Sequence, residues 1–126
     1  MLESRLEAIC TIPVVLKRDG ERNEYSLLRA SGYQDDPASI SEALIEAYLR
    51  AHPDLVKAWL HLSEDNRSSP AWYLIAPKTE SPEASGWMVG FVPGPTPPVP
   101  VQVFATGYAA CAHFIKMRAE QLRNLS

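Results

Sequence analysis

Apolar positions recur at helical spacing at both ends of the chain and in the middle, with short apolar runs between them. Leu2, Leu6, Ile9 and Cys10 fall on one helical face. They predict a short amphipathic N-terminal helix that Pro13 ends. Val14-Val15-Leu16 then reads as a strand, and Asp19-Gly20 as a hairpin turn. The return strand runs from Glu24 to Ala30, its alternation broken by the adjacent Leu27 and Leu28. Ser39-Ile40-Ser41-Glu42 has the form of a capping box, with the Ser39 hydroxyl accepting from the backbone at Glu42. Ile40, Ala43, Leu44, Ala47 and Tyr48 follow at helical spacing, and His52-Pro53 stops that helix. Leu55, Val56, Trp59 and Leu60 form one side of a second helix ending near Leu62, and Ser63 to Pro70 reads as a polar loop.

The second half has a different texture. Ala71–Ala76 and Trp87–Val92 are aromatic and β-branched runs bounded by Pro or Gly, Val101–Phe104 is a third such run, and the three read as strands. The polar loop Lys78 to Ser85 joins the first two. The stretch from Pro93 to Pro100 joins the last two, and its Pro95-to-Pro100 run reads as a stiff connection or as a polyproline segment for an SH3-like groove. A final helix runs from about Tyr108 to Asn124. Tyr108, Cys111, Ala112, Ile115, Ala119 and Leu122 make its buried stripe, and Lys116, Arg118 and Arg123 suit its C-terminal dipole. Short connections between the last strands favour an antiparallel meander. The expected fold class is α+β: a β-hairpin plus a three-strand meander, about four helices, and the C-terminal helix on the sheet.

The length, 126 residues, fits a single domain spanning 1–126. Such a chain buries about two-thirds of its surface without a metal or disulfide staple. Cys10 and Cys111 lie far apart in sequence, each beside apolar helix positions. They read as buried, reduced thiols, which fits a cytoplasmic protein. The opening Met-Leu-Glu-Ser-Arg-Leu-Glu lacks the apolar run of a signal peptide, and no apolar stretch is long enough to span a membrane.

Charge changes the picture further. The formal net charge is −3, which makes nucleic acid a poor expected partner. Residues 19–65 hold ten acids against four bases, whereas residues 84–126 hold one acid and three bases. An acidic surface that steers a basic partner accounts for this asymmetry, and so do ordinary solvated helix faces.

Chemical signatures are sparse. His61 and Glu64 form an i, i+3 pair, but a structural zinc needs four ligands. Cys111 and His113 point to different sides of their helix. No G-x-S-x-G elbow, H-E-x-x-H, C-x-x-C or phosphate-cradling glycine pattern occurs. Asp35-Asp36 and Glu64-Asp65 are paired carboxylates at positions where acids commonly serve loops and caps. No metal, cofactor or catalytic residue is therefore expected. Among the aromatics, Tyr33, Trp59, Trp72, Trp87 and Tyr73 are the candidate anchors.

Ser69-Pro70-Ala71-Trp72-Tyr73-Leu74, then Gly86-Trp87-Met88-Val89-Gly90-Phe91-Val92, then Phe104 to Ile115 form an aromatic meander feeding an alanine- and cysteine-bearing final helix. Over residues 69–123 this resembles small bacterial immunity proteins, which bind and block a cognate toxin. These families share no diagnostic motif, so no functional residue carries over. The resemblance implies a small, acidic, non-enzymatic protein whose partner is a protein, such as a basic toxin. The expected contact surface is Asp35, Asp36, Glu64 and Asp65, with Tyr33 as its aromatic anchor. Two other readings stand beside it. One is a small enzyme or ligand-binding domain with a pocket between the sheet and the two middle helices, near His61, Glu64 and Trp59. The other is an accessory subunit of a bacterial or phage assembly.

Overall fold

The computed structural model describes residues 2–19, 23–65, 71–92 and 101–124. Six helices and one sheet follow in the order α1 (Leu2–Cys10), α2 (Ile12–Arg18), α3 (Glu24–Ser31), α4 (Glu42–Ala51), α5 (Asp54–Asp65), β1 (Ala71–Ile75), β2 (Trp87–Val92), β3 (Gln102–Phe104) and α6 (Gly107–Arg123). Two short 3₁₀ turns, Tyr33–Asp35 and Pro37–Ser39, link α3 to α4.

The α+β class, the meander and the C-terminal helix on the sheet stand as expected; the N-terminal hairpin does not. Val14-Val15-Leu16 lies in α2, because Pro13 sits in the first helical turn, where its fixed φ favours a helix start. The expected return strand is α3. Asn23 caps it, accepting from the Ser26 amide at 2.7 Å while the Ser26 hydroxyl accepts from the Asn23 amide. Leu27, Leu28 and Ser31 make its buried face, so the adjacent leucines that broke the strand alternation are neighbours on a helical stripe. Gly32 ends α3 in the left-handed region, at φ +83°. Gly20, half of the expected turn, lies outside the described residues.

Two further expectations shift. Ser41, rather than Ser39, caps α4 by accepting from the Leu44 amide at 3.2 Å. The Ser39 hydroxyl donates instead to the Asp36 carbonyl. The buried face of α4 is Ile45 and Leu49, with Ala43 and Ala47 exposed. The larger apolar side chains take the core and turn the helix away from the alanine stripe. The second middle helix also runs past Leu62, so Ser63 and Glu64 belong to its last turn. The Ser63 hydroxyl accepts from the Leu74 amide at 2.8 Å, tying α5 to β1.

The sheet is antiparallel in the order β1-β2-β3, with Trp72 opposite Phe91, Leu74 opposite Val89 and Trp87 opposite Phe104. Those side chains share the face on which α6 packs, and Leu74, Trp87 and Val89 are fully buried there. Tyr73, Ile75, Met88 and Val103 lie on the opposite face by alternation, where Val103 is 68% exposed. Helix α6 is the hub, meeting α3, α4, α5 and all three strands. Its first residue is Gly107. A Cβ there would run into the Trp87 indole and the Pro82 backbone, at 2.7 and 2.9 Å.

Candidate functional site

The polar residues of α6 position the loop between α3 and α4. Lys116 donates from Nζ to the carbonyls of Pro37 and Ile40, both at 2.7 Å. Its ammonium also stands 4.8 Å from the centre of the Tyr33 ring, a cation–π distance. The Tyr33 hydroxyl donates to Glu120 Oε2 at 2.5 Å. Arg123 grips the same carboxylate through two nitrogens, at 3.0 and 2.9 Å. Those hydrogen bonds, from Arg123 first and Tyr33 second, hold the Glu120 carboxyl down to about 2. Burial lowers the Lys116 pKa from its usual value and, together with Glu120, raises that of Tyr33.

The loop gripped in this way carries Asp35 and Asp36. Both are exposed, and among the described residues neither enters an ion pair. Tyr33 is fully buried, so it is no surface anchor; it supports the loop from beneath. Glu64 is exposed at the end of α5. The backbone of Asp65 closes that helix, and its side chain lies outside the described residues.

Three acids of the middle segment meet basic side chains within the fold. Glu24 and Arg118 form a two-pronged pair, at 2.8 and 3.2 Å, with side chains only 12% and 18% exposed. Glu42 meets His113 Nδ1 at 2.6 Å, and the imidazole packs beside Trp72 and Phe104. Glu46 pairs with Arg50 along α4. Arg118 of the C-terminal helix thus answers one acid of the middle segment, Glu24, and His113 meets a second, Glu42, while Asp35, Asp36, Asp54 and Glu64 are exposed. Reading Lys116, Arg118 and Arg123 as complements to the α6 dipole misses this. In the sequence, Lys116 and Glu120 stand at i, i+4 on α6, with Arg123 three residues further on.

The candidate nucleophiles are packed away. Cys10 and Cys111 are free and buried, as the sequence implied. Burial pushes the Cys10 thiol up to about 12 and raises Cys111 well above the usual thiol value. A protonated, buried thiol is inert as a nucleophile. Trp59 is in the core, its Nε1 donating to the Cys10 carbonyl at 2.8 Å and its ring edge-on to Phe114. Among the described residues, the space between the sheet and the middle helices is filled by side chains such as Leu74, Trp59 and Phe114. Trp72 and Tyr73 are both half-buried, and the Tyr73 phenol lies over Gly90.

An open groove of about 660 Å³ exists elsewhere, between α2 and α5. His61 borders it, but Glu64 does not. Among the described residues no three His, Cys, Asp or Glu side chains converge as metal ligands would, and no helix is long and apolar enough to cross a membrane. No family model, curated protein or solved structure matches this chain.

Proposed function

We propose that this chain is a non-catalytic binding protein that captures a basic protein partner through the Asp35–Asp36 loop. In its most specific form the proposal is an immunity-type inhibitor acting in the cytoplasm on a cognate toxin. The observation that carries the reading is the grip of Lys116 and Tyr33 on that loop. Two exposed carboxylates are presented on backbone fixed by two hydrogen bonds at 2.7 Å and a buried aromatic ring. A loop ordered beforehand loses little entropy on binding, and surface carboxylates steer a basic partner in. The packed thiols and the resemblance of residues 69–123 to immunity proteins support the same reading.

The test is affinity capture from a lysate of the source organism, read by mass spectrometry, with the wild-type chain and D35K/D36K at low and moderate salt. The expected result is one stoichiometric basic protein, retained by the wild type at low salt and lost with either the charge reversal or added salt. Equal retention by D35K/D36K would reject this surface. No partner at either salt would reject the binding reading.

A further inference from the structure

The groove between α2 and α5 has one small side chain, Ala58, on its α5 wall. Leu55, Val56, Trp59 and Leu60 of α5 face the core, and the adjoining stripe faces α2. Ala58 sits midway along that stripe, and its single methyl leaves the space beside α2 unfilled. The floor is apolar, built from Val14 and Leu16 of α2 and Ala58 and Leu62 of α5, all half-buried. The rim is basic, with Lys17 on the α2 wall and Lys57 on the α5 wall, both exposed, and the exposed His61 one turn beyond Lys57. Among the described residues that line the groove, Asp54 is the one acid, in the first turn of α5, one turn before Lys57 as His61 is one turn after it.

In a chain of net charge −3, this local excess of bases over an apolar trough is complementary to one kind of occupant. The geometry points to a binding site for a monomeric small-molecule acid, an apolar body carrying a carboxylate head. The body lies on Val14, Leu16, Ala58 and Leu62, and the head sits between Lys17, Lys57 and His61, on the His61 side of Lys57. The volume falls within the roughly 300–1,000 Å³ of small-molecule sites, which combine an apolar lining with a few placed polar groups. Ammonium groups from opposite walls give the head two charge-assisted contacts. This site is separate from the Asp35–Asp36 loop and does not depend on the protein-binding reading.

The test is titration of the full chain with sodium decanoate below its micelle concentration, by calorimetry and by amide NMR shifts. Saturable 1:1 binding is expected, with shifts concentrated at residues 13–17 and 54–62. Two variants should each weaken it at least tenfold: K17E/K57E, which reverses the rim, and A58F, which fills the trough. Circular dichroism confirms that each variant is folded. K57Q, a milder change at an exposed position, serves if the double reversal fails to fold and should weaken binding several-fold. Decyltrimethylammonium, of the same chain length and opposite charge, should not saturate the groove. The inference is overturned by an absence of saturable decanoate binding, by shifts outside the groove, or by equal binding of the cation. It is equally overturned if the chain floats with phosphatidylglycerol vesicles but shows no isotherm for monomeric decanoate.

Discussion

Lys116→Met removes the ammonium that grips the α3–α4 loop and keeps most of the aliphatic stem. Two hydrogen bonds at 2.7 Å to the carbonyls of Pro37 and Ile40 are lost, together with the contact to the Tyr33 ring. Hydrogen bonds to a charged group contribute about 1.5–3 kcal/mol each. The desolvation that lowers the Lys116 pKa offsets part of this, and carbonyls in a half-exposed loop regain some water. The net cost should be about 2 kcal/mol, which for a chain of this size lowers Tm by roughly 6–10 °C. Urea denaturation followed by tryptophan fluorescence gives the free energy, since Trp59 and Trp87 are fully buried. Hydrogen exchange locates the effect: amides from Asp35 to Ile40 should exchange much faster, while those of β1 and β2 follow only the global change. A loss below about 0.5 kcal/mol, the range of ordinary surface substitutions, with unchanged exchange in the loop, would refute the clamp.

Three other outcomes follow from the same contacts. Arg118→Met should destabilise the fold by about 2–4 kcal/mol because it leaves the Glu24 carboxylate half-buried and unanswered, whereas E24L/R118M should recover most of that loss in the same urea assay. Ser41→Ala should cost about 1 kcal/mol and Ser39→Ala clearly less, since Ser41 is the residue that caps α4. Glu120 titrates in the folded state at about 2, against 4.5 when unperturbed. The unfolded chain therefore binds its proton first, and the stability due to Glu120 is present above pH 4.5 and drains away as pH falls toward 2. Glu120→Gln should be less stable than wild type at pH 7, with the gap closing across that window in acid denaturation curves.

The local patterns that proved legible were those with a full helical or alternating period. The stripes of α5 and α6 are long enough to fix both type and face, and the aromatic strands are bounded by Pro and Gly. Val14-Val15-Leu16 is too short for periodicity to separate strand from helix, and Asp19-Gly20 after it has the sequence of a hairpin turn. The signals for helices were present in Pro13, in the Asn23–Ser26 capping pair and in Gly32 after α3. The groove lies between α2 and α5, so a strand over Val14–Leu16 implies no such groove. Tyr33 shows a different kind of obscurity. A tyrosine after a glycine and before three polar residues looks like a surface anchor. Its burial depends on Lys116 and Glu120, more than eighty residues away in sequence, and no local pattern encodes that. The acidic middle segment is visible as composition, but the pairing of Glu24 with Arg118 and of Glu42 with His113 depends on the fold.

The most direct test of the binding account is the association rate of the captured partner as a function of ionic strength, by stopped flow, for the wild-type chain and D35K/D36K. Surface charges that steer an encounter raise the association rate about tenfold or more at low salt and lose that effect on screening. The account predicts a steep fall with salt for the wild type. D35K/D36K should be at least about tenfold slower at low salt, and the two curves should converge as the charges are screened. An association rate that the double charge reversal leaves unchanged would contradict it.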